Sequence, residues 1–190
     1  MTINNFDETT SSILLELEKT QKDFWNISRS TANFLNLLIK ASNLKSGLEI
    51  GCSNGYSGIW QSKAFKENGG HFTTIEYYDK RLDVAKENFE KCNVADVITT
   101  KQGSACEILE NFTNDDKFDY VFIDANKREY VKYFELIKPH LLPNAIIAAD
   151  NITSHAEKVQ TFVEAINTDD DFQVEILDLP AGLLLARKRS

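Results

Sequence analysis

Along the chain, short apolar runs alternate with longer stretches whose apolar positions recur every three or four residues. The runs occupy residues 48–50, 71–75, 97–100, 120–123, 145–149, 173–177 and 183–186. The intervening stretches at 58–66, 80–92, 104–112, 128–140 and 154–167 have helical periodicity. Tyr120-Val121-Phe122-Ile123 and Ala145-Ile146-Ile147-Ala148 are apolar at every position, as strands covered on both faces are. Such alternation predicts an α/β fold with a doubly wound, Rossmann-like, mostly parallel sheet of seven strands. No helical stretch separates the last two strands, so one of them runs antiparallel, and we expect it to be the last. Residues 1–45 read as helices preceding the sheet. There are no repeats and no Pro- or Gly-rich linkers, and 190 residues suit a single domain spanning 1–190.

Composition narrows the function classes. No apolar run approaches the roughly 20 residues of a membrane helix. The amphipathic, acidic N-terminus lacks the pattern of a signal peptide, so a cytoplasmic location is expected. Cys52, Cys92 and Cys106 have neither disulfide nor metal-ligand arithmetic. The net charge of −8, with Arg187-Lys188-Arg189 as the dense basic cluster, disfavours nucleic acid and favours a small-molecule partner.

In a doubly wound sheet, ligands bind beyond the C-terminal strand ends. The first strand leads into Gly51-Cys52-Ser53-Asn54-Gly55-Tyr56-Ser57-Gly58. Glycines four apart let the backbone turn sharply there. Ser53 stands where the dinucleotide fingerprint has its second glycine, which disfavours a pyrophosphate ligand. The second strand ends at Glu76, at the spacing of about 20 to 25 residues from which a carboxylate accepts ribose hydroxyls.

The fourth and fifth strands end in Asp124-Ala125-Asn126-Lys127 and Asp150-Asn151. Two carboxylates and an amide carbonyl form a hard-oxygen set suited to Mg²⁺, Mn²⁺ or Ca²⁺. The competing reading has both aspartates capping the following helices. Lys127 could serve as a general base or be a solvated lysine, and His155 is a second candidate. Trp25, Trp60, Tyr56 and Tyr130 could line a pocket or fill the core.

These residues resemble the class I O-methyltransferases of the catechol and caffeoyl-coenzyme A type, over about residues 25–188. The motifs that carry the resemblance are Leu48-Glu49-Ile50-Gly51…Gly55-Tyr56-Ser57, Thr74-Ile75-Glu76, the run from Phe118 through Lys127 to Tyr130, and Ala149-Asp150-Asn151. The resemblance implies an S-adenosylmethionine site at Glu49, Gly51, Gly55, Tyr56, Ser57, Glu76, Gly103, Ser104 and Asp124. It implies metal ligands at Asp124, Asp150 and Asn151, Lys127 as the catalytic base, a catechol-like acceptor and a homodimer. Pro143-Asn144 replaces a glycine pair and is expected to form a turn. Ala125, Asn126 and Pro180-Ala181-Gly182 also depart from the family pattern, and they bear on the acceptor. Two alternatives stay open: methylation of a hydroxylated uridine in transfer RNA, and a non-catalytic module that binds cofactor or metabolite.

Overall fold

A computed structural model of the chain describes Ile3 and residues 6–190; residues 1, 2, 4 and 5 of the expected N-terminal helical region lie outside the described residues. Three helices come first: α1 (Glu8–Lys19), α2 (Gln21–Phe24) and α3 (Arg29–Ala41). Then follow β1 (Ser46–Ile50), α4 (Tyr56–Asn68), β2 (His71–Glu76), α5 (Asp79–Lys91), β3 (Ile98–Gln102), α6 (Ala105–Glu110), β4 (Phe118–Ile123), α7 (Tyr130–Ile137), β5 (Leu141–Ala149), α8 (Ala156–Asn167), β6 (Phe172–Leu177) and β7 (Leu183–Lys188). The caps follow local chemistry. Asp7 accepts from the Thr10 amide at the start of α1, and Ser28 from the Thr31 amide at the start of α3.

The seven strands lie in the order β3-β2-β1-β4-β5-β7-β6. β7 pairs antiparallel with both β5 and β6, as expected of the last strand. Alternation along the strands divides the core into two faces. Tyr120 and Phe122 pack with α3, α4 and α5, whereas Val121 and Ile123 pack with α7 and α8. The order reverses between β2-β1 and β4-β5, which places the topological switch beside the end of β1.

Two expectations need correction. Pro143-Asn144 lies within β5 and not in a turn before it. Pairing jumps there from Phe118↔Leu141 to Tyr120↔Ile146, so β5 carries extra residues over this stretch as a bulge. Pro143 has no N–H for the ladder, and Asn144 takes a φ of 64°, so both fit a bulge. The helix expected over 128–140 is α only through the middle. Residues Lys127–Glu129 and Lys138–His140 are 3-10 turns. Pro139 has no N–H to continue the α ladder.

Candidate active site

Backbone hydrogen bonds carry the sheet pattern one residue past each strand and align the candidate residues on a shelf. The Gly51 amide donates to the Ile75 carbonyl (3.0 Å), Asp124 to Ile50 (2.9 Å), Asp150 to Ile123 (3.1 Å) and Gly103 to Glu76 (2.9 Å). Ile123 pairs with Ala149, so Asp124 and Asp150 leave adjacent parallel strands side by side. Beneath them the buried Tyr130 hydroxyl donates to the carbonyls of Ile123 and Asp150, each at 3.3 Å.

The acidic corner is electrostatically tense. Asp150 is buried, and its Oδ1 has no hydrogen-bond partner. Burial and the neighbouring Asp124 carboxylate push its carboxyl up to about 7. Burial also raises Asp124, opposed by Lys127, whose Nζ lies 2.8 Å from Asp124 Oδ1. Asn151 follows in a left-handed conformation (φ 66°), and its amide nitrogen donates to Ser154 Oγ at 3.3 Å, which leaves the amide carbonyl oxygen available as a ligand. Neither aspartate caps a helix. Asn126 caps the turn at Lys127, and His155 stands at the N-cap of α8 without a side-chain capping hydrogen bond. His155 bonds to Ser154 and is held below its ordinary range by burial and by Lys127.

The residues therefore fit a divalent cation. The fit rests on a buried, orphaned carboxylate oxygen beside a second carboxylate and an amide carbonyl. Among the described residues no three His, Cys, Asp or Glu side chains gather, so Asn151 is needed to complete the set.

The loop after β1 is shaped by left-handed residues: Gly51 (φ 105°), Ser53 (φ 49°) and Gly55 (φ 84°). Glu76 is held at its edge, with Oε2 accepting from the Ser53 amide (2.7 Å) and Oε1 from the Tyr78 amide (2.9 Å). Each oxygen retains acceptor capacity for a ribose hydroxyl. Gly103 and Ser104 border an open pocket of about 530 Å³ with Glu107, Ile108 and Phe112.

Three expected cofactor residues have buried side chains that serve the scaffold. Glu49 is fully buried and accepts from Ser57 (2.6 Å), Gln61 (2.9 Å) and Thr74 (2.6 Å). The Tyr56 hydroxyl donates to Glu18 of α1 (2.8 Å). Glu49 lies in β1 and Tyr56 and Ser57 open α4, so these side chains brace the two elements that flank the loop. Trp60, Tyr56 and Tyr130 are core, whereas Trp25 is 70% exposed. Gln61, and Thr74 beyond its place in a motif, were not among the expected site residues. The signal available was an acid in an apolar strand, which demands buried partners.

Burial pushes the Glu49 carboxyl up to about 7. The folded state therefore holds this proton more tightly than the unfolded chain does. The associated stability is present below the ordinary carboxylate range and is lost as pH rises through about 7. Denaturant titrations between pH 5 and 8 are expected to show a decline that Glu49→Gln reduces by on the order of 2 kcal/mol. An unchanged slope would place the titration elsewhere.

With this geometry established, similarity to known proteins is informative. An O-methyltransferase family model matches residues 6–189. The catechol O-methyltransferase of Niastella koreensis is 33% identical over 129 residues, covering 67% of this chain and 58% of that protein. Caffeoyl-CoA O-methyltransferase 2 of Zea mays is 31% identical over 195 residues, covering 87% of this chain and 71% of that one. The crystal structure of the O-methyltransferase from Bacillus cereus in complex with SAH superposes with a TM-score of 0.85 at 28% identity, covering 98% of this chain and 93% of that one. The chain thus spans somewhat under two thirds of the bacterial catechol enzyme's length. Among the described residues no helix is long and apolar enough to cross a membrane. A matching family model over nearly the whole chain, on a sheet that brings Gly51, Glu76, Asp124 and Asp150 to one edge, shows that this chain belongs to the O-methyltransferase family.

Proposed function

We propose that the protein methylates one hydroxyl of a small vicinal aromatic diol, using S-adenosylmethionine and a divalent cation, with Mg²⁺ the first candidate. The observation that carries this reading is the buried, unpartnered Asp150 oxygen beside Asp124 and Lys127, on the shelf that also bears the glycine loop and Glu76. Asp124, Asp150 and Asn151 would hold the cation, and Glu76 the ribose. When bound, the cofactor supplies an activated methyl group and the cation supplies polarisation of the acceptor hydroxyl.

The chain's own residues do the rest. Lys127 lies at the site with Nζ 2.8 Å from Asp124 Oδ1; once Asp124 is engaged by a cation and the lysine is a neutral amine, its Nζ would receive the hydroxyl proton. Both strand ends fix the acceptor's approach, and positioning of this kind contributes on the order of 7 kcal/mol. Sulfonium and developing oxyanion neutralise each other, so a dry site favours the step. The position of His155 beside Ser154 gives it no role that the geometry requires.

Labelled methyl transfer to a panel of aromatic diols and to bulk RNA, with Mg²⁺ and with excess chelator, tests the proposal. Transfer to a diol that chelator abolishes is the expected result. Full activity in chelator would remove the cation from the reaction. RNA labelling with a steep salt dependence would shift the acceptor to the transfer RNA alternative. SAH binding without transfer to any acceptor would leave a binding module.

A further inference from the structure

Ser53 is the one non-glycine residue in a left-handed conformation within the loop joining β1 to α4, at φ 49°. That conformation costs an L-residue about 1 kcal/mol that glycine would not incur. The side chain offsets the cost with a long-range bond. Its hydroxyl donates to the Phe24 carbonyl at 2.7 Å, 29 positions earlier in the chain. Its amide donates to Glu76 Oε2, also at 2.7 Å. One residue therefore touches both the ribose-side carboxylate and the N-terminal segment.

A second path closes the ring from the other side. Trp25, next to Phe24, is left-handed as well (φ 56°) and ends α2. Although 70% exposed, its indole lies 4.4 Å from the Arg81 guanidinium of α5. The same guanidinium lies 5.4 Å from the Tyr78 ring and 5.9 Å from Phe24. The Tyr78 amide in turn holds the other Glu76 oxygen. The corner at Phe24 and Trp25 is thus attached to both oxygens of Glu76, through Ser53 on one side and through Arg81 and Tyr78 on the other.

We propose that Ser53 is a positioning residue that couples cofactor occupancy at Glu76 to closure of the corner formed by Phe24 and Trp25. The proposal rests on the reading that Glu76 takes the ribose. Ser53 does not supply chemistry. It sets the carboxylate and the N-terminal segment at a fixed mutual distance, so ordering one orders the other. Arg81 is the matching clamp on the far side.

The test uses the full chain with SAH as probe, measured by calorimetry and by hydrogen exchange at residues 24–26. Ser53→Gly keeps the loop conformation and the amide bond to Glu76 but deletes the hydroxyl. It is expected to leave thermal stability unchanged or raised, which a merely structural role would not do. SAH affinity should fall about fivefold to tenfold. SAH should slow exchange at residues 24–26 in the wild type and much less in Ser53→Gly. Arg81→Ala should act in the same direction, with a double variant less than additive. SAH binding by Ser53→Gly at wild-type affinity, or wild-type binding that leaves exchange at 24–26 unchanged, overturns the proposal alone. A wild-type chain that binds no SAH overturns the cofactor assignment, and the coupling with it.

Discussion

If Asp150 holds the proposed cation, Asp150→Ala is expected to lower kcat/KM by on the order of a thousandfold, with SAH affinity held within about threefold, because it would remove a ligand worth several kcal/mol in the transition state. The substitution deletes the one buried oxygen of the acidic corner that has no partner within the protein. It leaves untouched the glycine loop and Glu76, whose hydrogen bonds run to Ser53 and Tyr78. Steady-state kinetics and calorimetry on one preparation separate the two effects. A companion measurement needs no acceptor. The Asp150 carboxyl, pushed up to about 7, must lose its proton to bind a cation. Mg²⁺ should therefore raise the melting temperature of the wild type more at pH 8 than at pH 6, and do so at neither pH in Asp150→Ala. A variant that keeps a tenth of wild-type turnover would dismiss the metal role of this residue.

Gly51→Ala is expected to have the largest effect on folding, at about 3 kcal/mol or more. A methyl group at this position would lie 2.1 Å from the Asp124 carbonyl oxygen, in a backbone with φ 105°. The obstacle is backbone, so no side-chain rotation relieves it. β1 and β4 must part at the shelf, displacing Asp124 from its bond to Ile50. Chemical denaturation would report the stability loss. SAH binding would report the damage to the loop. Wild-type stability would mean that the loop does not hold this close approach in solution. At Gly69, by contrast, an added methyl meets nothing within 4 Å, and only its φ of 70° opposes substitution.

Most of the sheet was legible because strand burial writes itself into the sequence. Runs such as Tyr120-Val121-Phe122-Ile123 must be covered on both faces, and they are. The acidic strand ends were legible for the same reason, since Asp124 and Asp150 interrupt apolar runs at the sheet edge. What stayed hidden is non-local. Nothing near Ser53 announces a bond to Phe24, and nothing near Tyr56 announces Glu18. Glu49 lay inside a recognisable motif, yet its burial follows from Ser57, Gln61 and Thr74 meeting it from α4 and β2. The bulge at Pro143-Asn144 resembled a turn because both settings favour a residue without an N–H followed by a left-handed asparagine.

The sheet order also constrains how the chain is made. β7 is the last strand in sequence, but it lies between β5 and β6. A polypeptide ending at Leu177 has no strand to cover the outer edge of β5, and its β6 has no partner among the described residues. Exposed edges of this kind invite pairing with other chains. The sheet is complete only once Leu183–Lys188 slots between β5 and β6, so C-terminal truncations should fail by aggregation rather than by simple loss of activity.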